Sequence, residues 1–148
     1  MRRYRSVGVA LALAALAACT AGGAPHPAGW TQAPGAKATW TTMSGAGSER
    51  YSYNAESYSG QLQDLASEQA VDTVQRERGA RLIRSVPFPA CPGEAGLARY
   101  ALPGGRLLEV AFTVSNGKAV IAEYLRPASI GEAPAAITAM RQAVCYSL

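Results

Sequence analysis

Asn116-Gly117, set between two β-type runs, limits what this chain can fold into more than any other pair of residues. Asn-Gly suits both left-handed positions of a two-residue type I′ turn, whose twist matches the strands it joins. The pair therefore predicts a hairpin of residues 107–114 and 119–125. So short a turn also sets the register: Val114 opposes Ala119, Phe112 opposes Ile121 and Val110 opposes Glu123. Side chains alternate along a strand. Leu108, Val110, Phe112 and Val114 then share one face, with Glu123 as its only charge, and Leu107, Ala111, Val120 and Tyr124 share the other. A sheet apolar on both sides calls for helices on both sides.

Two segments have the pattern to supply them. Over residues 60–78, Leu62, Leu65, Ala66, Ala70 and Val74 recur at helical spacing, while Gln63, Asp64, Glu68 and Asp72 face water. Ser59 is placed to cap this helix and Gly79 to stop it, with Arg76 and Arg78 at the negative end of its dipole. Pro134 opens a second helix whose Ile137, Met140 and Val144 make one stripe ending at Cys145. Further strands are expected over residues 38–43, 51–55, 81–86 and 95–102, separated by Gly- and Pro-rich turns. The expected fold class is α+β: an antiparallel sheet of about five to six strands flanked by helices, in one domain over residues 38–148.

Ahead of that domain, Arg2, Arg3 and Arg5 precede an uncharged stretch over residues 7–17. The stretch is shorter than the ~20 apolar residues a spanning helix needs, so it reads as the core of an export signal. Leu16-Ala17-Ala18-Cys19 resembles the lipoprotein signal in every position. Residues 1–18 would be cleaved, and Cys19 would carry several acyl chains, each buried CH₂ contributing about 0.8 kcal/mol to anchoring. The other reading is an ordinary secretory signal in which the cysteine is incidental. Thr20 follows, with no Asp there as a retention mark. The expected location is the cell envelope: the outer membrane in a two-membrane organism, otherwise the outer face of the plasma membrane, with the domain periplasmic or extracellular. Residues 19–37, rich in Gly, Ala and Pro, read as a flexible tether, with Trp30 the first point of contact with the fold.

Cleavage changes the charge balance. Losing Arg2, Arg3 and Arg5 takes 14 basic residues to 11 against 10 acidic ones, a net of +1 where the whole chain has +4. Nucleic acid is therefore not an expected partner. Two cysteines remain, Cys91 and Cys145, and an even pair in an exported protein is expected to form a disulfide. By chain entropy it contributes about 4 kcal/mol. Its spacing is not the Cys-x-x-Cys of a redox pair.

The order of strand pair, long helix, antiparallel meander and terminal helix resembles the PsbP-like α/β/α sandwich. Ser85-Val86-Pro87, Cys91-Pro92-Gly93, Tyr100-Ala101-Leu102, Glu109-Val110-Ala111-Phe112 and Asn116-Gly117-Lys118-Ala119 are similar to that family's central meander. The likeness covers residues 37–148 and lies in structural turns, not in chemistry. It implies binding, assembly or accessory roles without catalysis. Photosystem members of the family contact metal-bearing complexes, but no ligand set carries over to this chain.

No catalytic set is expected. His26, the single histidine, lies in the tether, so no Ser/His/Asp triad can form in the domain, and no Gly-x-Ser-x-Gly elbow is present. Asp64, Glu68 and Asp72 lie one turn apart, which reads as a solvated helix face in preference to a cation site; no metal or cofactor is expected. The candidate ligand or pocket residues are Glu123, Tyr51, Tyr53 and Arg99. Glu123 is either an acid in apolar surroundings with a raised pKa or half of a salt bridge to Arg99 or Arg126. Tyr51, Tyr53, Tyr58 and Trp40 form either a binding platform or aromatic packing between sheet and helix. The expected protein is a monomeric, lipid-anchored binding or accessory module with a protein partner in the envelope. The alternative is a small-ligand carrier using a cleft between sheet and helix. A hydrolase working through carboxylates such as Glu123 ranks last.

Overall fold

The computed structural model describes residues 23–36, 38–44, 47–89 and 91–146. Residues 1–22, with the segment expected to be a signal peptide and lipobox and with Cys19, lie outside them. In chain order the elements are β1 (Thr31–Gln32), β2 (Thr39–Ser44), β3 (Gly47–Ser57), α1 (Leu62–Arg76), β4 (Arg81–Pro87), β5 (Gly96–Leu102), β6 (Arg106–Ser115), β7 (Lys118–Pro127) and α2 (Pro134–Cys145). The strands form one sheet in the order β1-β2-β3-β7-β6-β5-β4, with every neighbouring pair antiparallel. Among the described residues no helix is long and apolar enough to cross a membrane.

The β6–β7 hairpin has the register read from Asn116-Gly117: Val114 pairs with Ala119, Phe112 with Ile121 and Val110 with Glu123. Asn116 and Gly117 take φ of 51° and 70°, the left-handed values the turn requires. The two faces are covered by different helices. Leu65 of α1 packs with Tyr100, Leu108, Val110, Phe112 and Ile121. Ala136, Ala139, Met140, Ala143 and Val144 of α2 pack on the other face against Ala111, Val120, Ala122 and Tyr124. Three alanines at helical spacing let α2 lie close to the strands, while Met140, fully buried, fills the remaining space. Gly96 matters for the opposite layer, because a Cβ there would run into the Phe112 ring. The α+β sandwich expected from the sequence is thus present, with seven strands among the described residues instead of five or six.

The extra strand comes from the expected tether, and this is a correction. Residues 23–36 lie on the fold, not free of it. β1 pairs with β2, the Ala33 N–H donates to Thr39 O at 2.7 Å, and Pro27 is fully buried. The His26 ring stacks on Trp40 at 4.8 Å and 8°, and Trp30 meets Tyr124 edge-on at 6.0 Å. Contact starts at Ala24, ahead of Trp30. Trp40 and Tyr124 belong to the α2-side core, and this segment completes that layer beside α2. Gly29 and Gly35 take positive φ of 78° and 70° here, the left-handed turns that bring the segment back along the sheet.

The first helix also differs in detail. It starts at Leu62, with the Gln61 N–H donating to Asp64 Oδ2 at 2.9 Å, so Ser59 is not its cap. Its buried positions are Leu65 and Thr73, while Val74 is half exposed. The stripe follows the phase of positions 62, 65, 66, 69 and 73, and Val74 stands about 100° away from Thr73. The acids expected to face water have local uses. Asp64 caps, Glu68 accepts from the Tyr58 hydroxyl at 3.0 Å, and Asp72 pairs with Arg76 at 3.4 Å.

Candidate functional site

Antiparallel pairing lines up one row of side chains under α2. Arg84 of β4 pairs with Arg99 of β5, Arg99 with Glu109 of β6, and Glu109 with Tyr124 of β7. Residues opposite one another in a sheet share a face, so a four-strand row of ionisable groups lies on the α2 side. The core contacts of α2 lie toward the β3–β7–β6 side of this face. Between α2 and the β4–β5 side is a cleft of about 270 Å³. Its apolar wall is Val86, Phe88, Leu97, Ile137 and Met140, and its charged residues are Arg84, Arg99, Glu109, Glu132 and Arg141.

Both ends of α2 are fixed. Cys91 and Cys145 are disulfide-bonded, with their Cα atoms 5.0 Å apart, which ties the helix C-terminus to the Pro-rich crossing after β4. Phe88 in that crossing is buried, and its N–H donates to Ala95 O at 2.8 Å. At the other end the Tyr124 hydroxyl accepts from the Ala133 N–H at 3.0 Å and donates to Glu49 Oε1. Burial first, and the Glu49 bond second, raise the Tyr124 hydroxyl above its usual range. The cleft therefore has walls held from two sides.

Its electrostatics centre on Glu109, whose side chain is 1% exposed. The Arg99 guanidinium donates to Glu109 Oε1 through Nε at 2.8 Å and also through Nη2, which reaches Glu132 Oε1 as well. Glu109 Oε2 is buried with no partner among the described residues. Burial and the neighbouring Glu132 carboxyl push Glu109 up to about 7, against the pull of Arg99. Glu132 also lies 3.9 Å from Arg126, whose Nη1 donates to Ile130 O. Arg99 is thus committed to two carboxylates. Arg84 and Arg141 make no ion pair among the described residues, and the Arg141 guanidinium lies over the Phe88 ring at 5.9 Å. Two uncommitted guanidinium groups beside an apolar wall suit an anion with an apolar body.

Of the candidate ligand or pocket residues read from the sequence, Arg99 alone lines this cleft. Glu123 points to the α1 face, where it is bound by Arg76: Nη1 to Oε2 at 3.0 Å and Nη2 to Oε1 at 2.5 Å. The salt-bridge reading of Glu123 therefore holds, but Arg99 and Arg126 are corrected as partners. Their alternation places both on the α2 side, beyond its reach. Glu123 and Tyr53 line a separate polar depression with Ser52, Asn54, Asp72 and Arg76. Tyr51 is fully buried, its ring 6.0 Å from Trp40, and burial raises its hydroxyl well above the ordinary range. Tyr58 turns to Glu68 instead, so the aromatic residues serve packing and make no common platform.

Glu132 and Arg141 were not anticipated, while Arg84 and Glu109 read from the sequence as dispersed solubilising charges in preference to an anion-binding surface. For Glu109 the signal was present: it alternates with Leu107 and Ala111 on a face otherwise apolar. Pro103-Gly104-Gly105 further brings it opposite Arg99.

These features define a three-layer α+β sandwich with a charged, part-apolar cleft under one helix. The chain matches no protein-family model and no curated protein. Among solved structures it is similar to the solution structure of cyanobacterial PsbP (CyanoP) from Synechocystis sp. PCC 6803. The TM-score is 0.44 at 18% identity, covering 69% of this chain and 72% of that one.

Proposed function

We propose that this chain is a lipid-anchored, non-catalytic binding module of the cell envelope that engages its partner through the cleft between the sheet and α2. The lipobox ending at Cys19 supports the anchor. The observation that carries the binding role is the cleft itself, apolar along Phe88, Leu97, Ile137 and Met140 and edged by two arginines without ion pairs among the described residues. Among its described lining residues there is no serine, threonine, cysteine, histidine or lysine, so nothing there serves as a nucleophile beside the two acids. An accessory role toward another envelope protein is the first reading. Small-ligand carriage is the second, and the volume of about 270 Å³ favours it. That lies just below the roughly 300–1,000 Å³ typical of sites for drug-sized ligands.

A photo-crosslinking residue at Ile137, introduced into the full chain in intact cells, tests both readings. One stoichiometric envelope protein, lost when Arg84 and Arg141 are neutralised, supports the accessory role. A small molecule that co-purifies and blocks crosslinking supports carriage. If neither is found, the cleft has no binding role and the proposal is overturned.

A further inference from the structure

We infer that the cleft under α2 binds a small organic monocarboxylate, with the carboxylate between Arg84 and Arg141 and a short apolar body against Phe88, Leu97, Ile137 and Met140. This rests on the binding-module reading and names the ligand class of that same site. Three arginines and two glutamates line the cleft. Arg99 is saturated by Glu109 and Glu132, which leaves Arg84 and Arg141 as the groups an incoming ligand meets. With both acids ionised, which for Glu109 means above about pH 7, the three arginines exceed them by one positive charge. A monoanion balances it, whereas a dianion would stand against the fixed carboxylates of Glu109 and Glu132 in a half-buried site.

The type of anion follows from the donors and the walls. A guanidinium offers parallel N–H groups that match the two oxygens of a carboxylate. Arg141 is held by the Phe88 ring beneath it and not by an acid, so its charge is positioned yet unneutralised. Beyond these donors the lining is aliphatic and aromatic, and inorganic anions gain nothing from it. Burial of an apolar body contributes about 25 cal/mol per Å², so the charged and apolar halves of the ligand are both needed. A carboxylate of this description has two sources, a free acid or the C-terminus of a peptide ending in an apolar residue.

The test uses the full lipidated protein in nanodiscs, with empty nanodiscs as blank, titrated calorimetrically. The probes are 3-phenylpropanoate, its neutral counterpart 3-phenylpropanol, inorganic phosphate and a short peptide ending in leucine. Saturable binding of 3-phenylpropanoate is expected, weakened by about tenfold or more in the alcohol, as the loss of a hydrogen bond to a charged group implies. Phosphate should give no isotherm. The double variant Arg84→Gln with Arg141→Gln should lose the preference for acid over alcohol, while Arg84→Lys keeps part of it. Tighter binding of the peptide assigns the carboxylate to a chain terminus, and tighter binding of 3-phenylpropanoate assigns it to a free acid. Equal affinity for acid and alcohol, or an unchanged isotherm in the double variant, overturns the ligand class. That failure is distinct from failure of the binding module, because crosslinking at Ile137 reads occupancy whatever the charge of the occupant.

Discussion

Raising the pH from about 5 to about 8 should weaken this fold, through Glu109. An ordinary glutamate releases its proton near 4.5, and in the folded chain burial beside Glu132 pushes Glu109 up to about 7. Between those values the folded chain holds a proton that the unfolded chain has released. The stabilisation is therefore complete below the unfolded value and is lost as the pH rises through the folded one. One pKa unit is worth about 1.4 kcal/mol, so the full shift sets a ceiling of about 3 kcal/mol. Arg99 and Glu132 share the site, and Tyr124 faces it from β7, so about 2 kcal/mol is the expected loss. With a urea slope of about 1–3 kcal/mol per molar, the denaturation midpoint should fall by about 1 M. Fluorescence of Trp30 and Trp40 reports the transition, measured at pH 5, 6, 7 and 8. In Glu109→Gln the amide oxygen still accepts from Arg99 but cannot ionise, and the pH slope should vanish. His26→Gln serves as the control for the single histidine. A midpoint that stays level from pH 5 to 8, or a slope that persists in Glu109→Gln, refutes the reasoning.

Three other outcomes are expected. Gly96→Ala drives a methyl group into the Phe112 ring and should cost about 1–3 kcal/mol, read as a lower Tm at unchanged m-value. Trp40→Ala removes the surface on which His26 stacks, so limited proteolysis should cut within residues 23–38 much faster than in the parent chain. Equal cleavage rates would mean that this segment is held by other contacts. Cys19→Ser should release the domain, still folded, from the membrane fraction; retention there contradicts the lipobox reading.

What the sequence disclosed depended on whether an interaction was local. Asn116-Gly117 and the alternation around it set the central hairpin, because turn chemistry and strand period act over a few residues. The same alternation required cover on both faces, and α1 and α2 supply it. The partner of Glu123 was misplaced because register says which face a side chain takes, not which residue of a distant helix meets it. Arg76 arrives there through the packing of α1. Residues 23–36 read as tether because their composition lacks a large apolar run, yet His26 and Trp30 find Trp40 and Tyr124 in the folded sheet. Val74 and Thr73 show the sensitivity of helix phase: a difference of one position moves a side chain from core to solvent. The cleft joins β4, β5, β6 and α2, and no stretch of sequence contains it.

The claim that most needs testing is that the functional surface lies under α2. Methyl NMR of the full chain, titrated with 3-phenylpropanoate, compares the two faces of the sheet directly. Shifts should concentrate on the methyl groups of Leu97, Ile137 and Met140, with Leu65 and Ile121 on the α1 face unmoved. Shifts centred on Leu65 and Ile121, or no shift at Met140 at saturation, would contradict it.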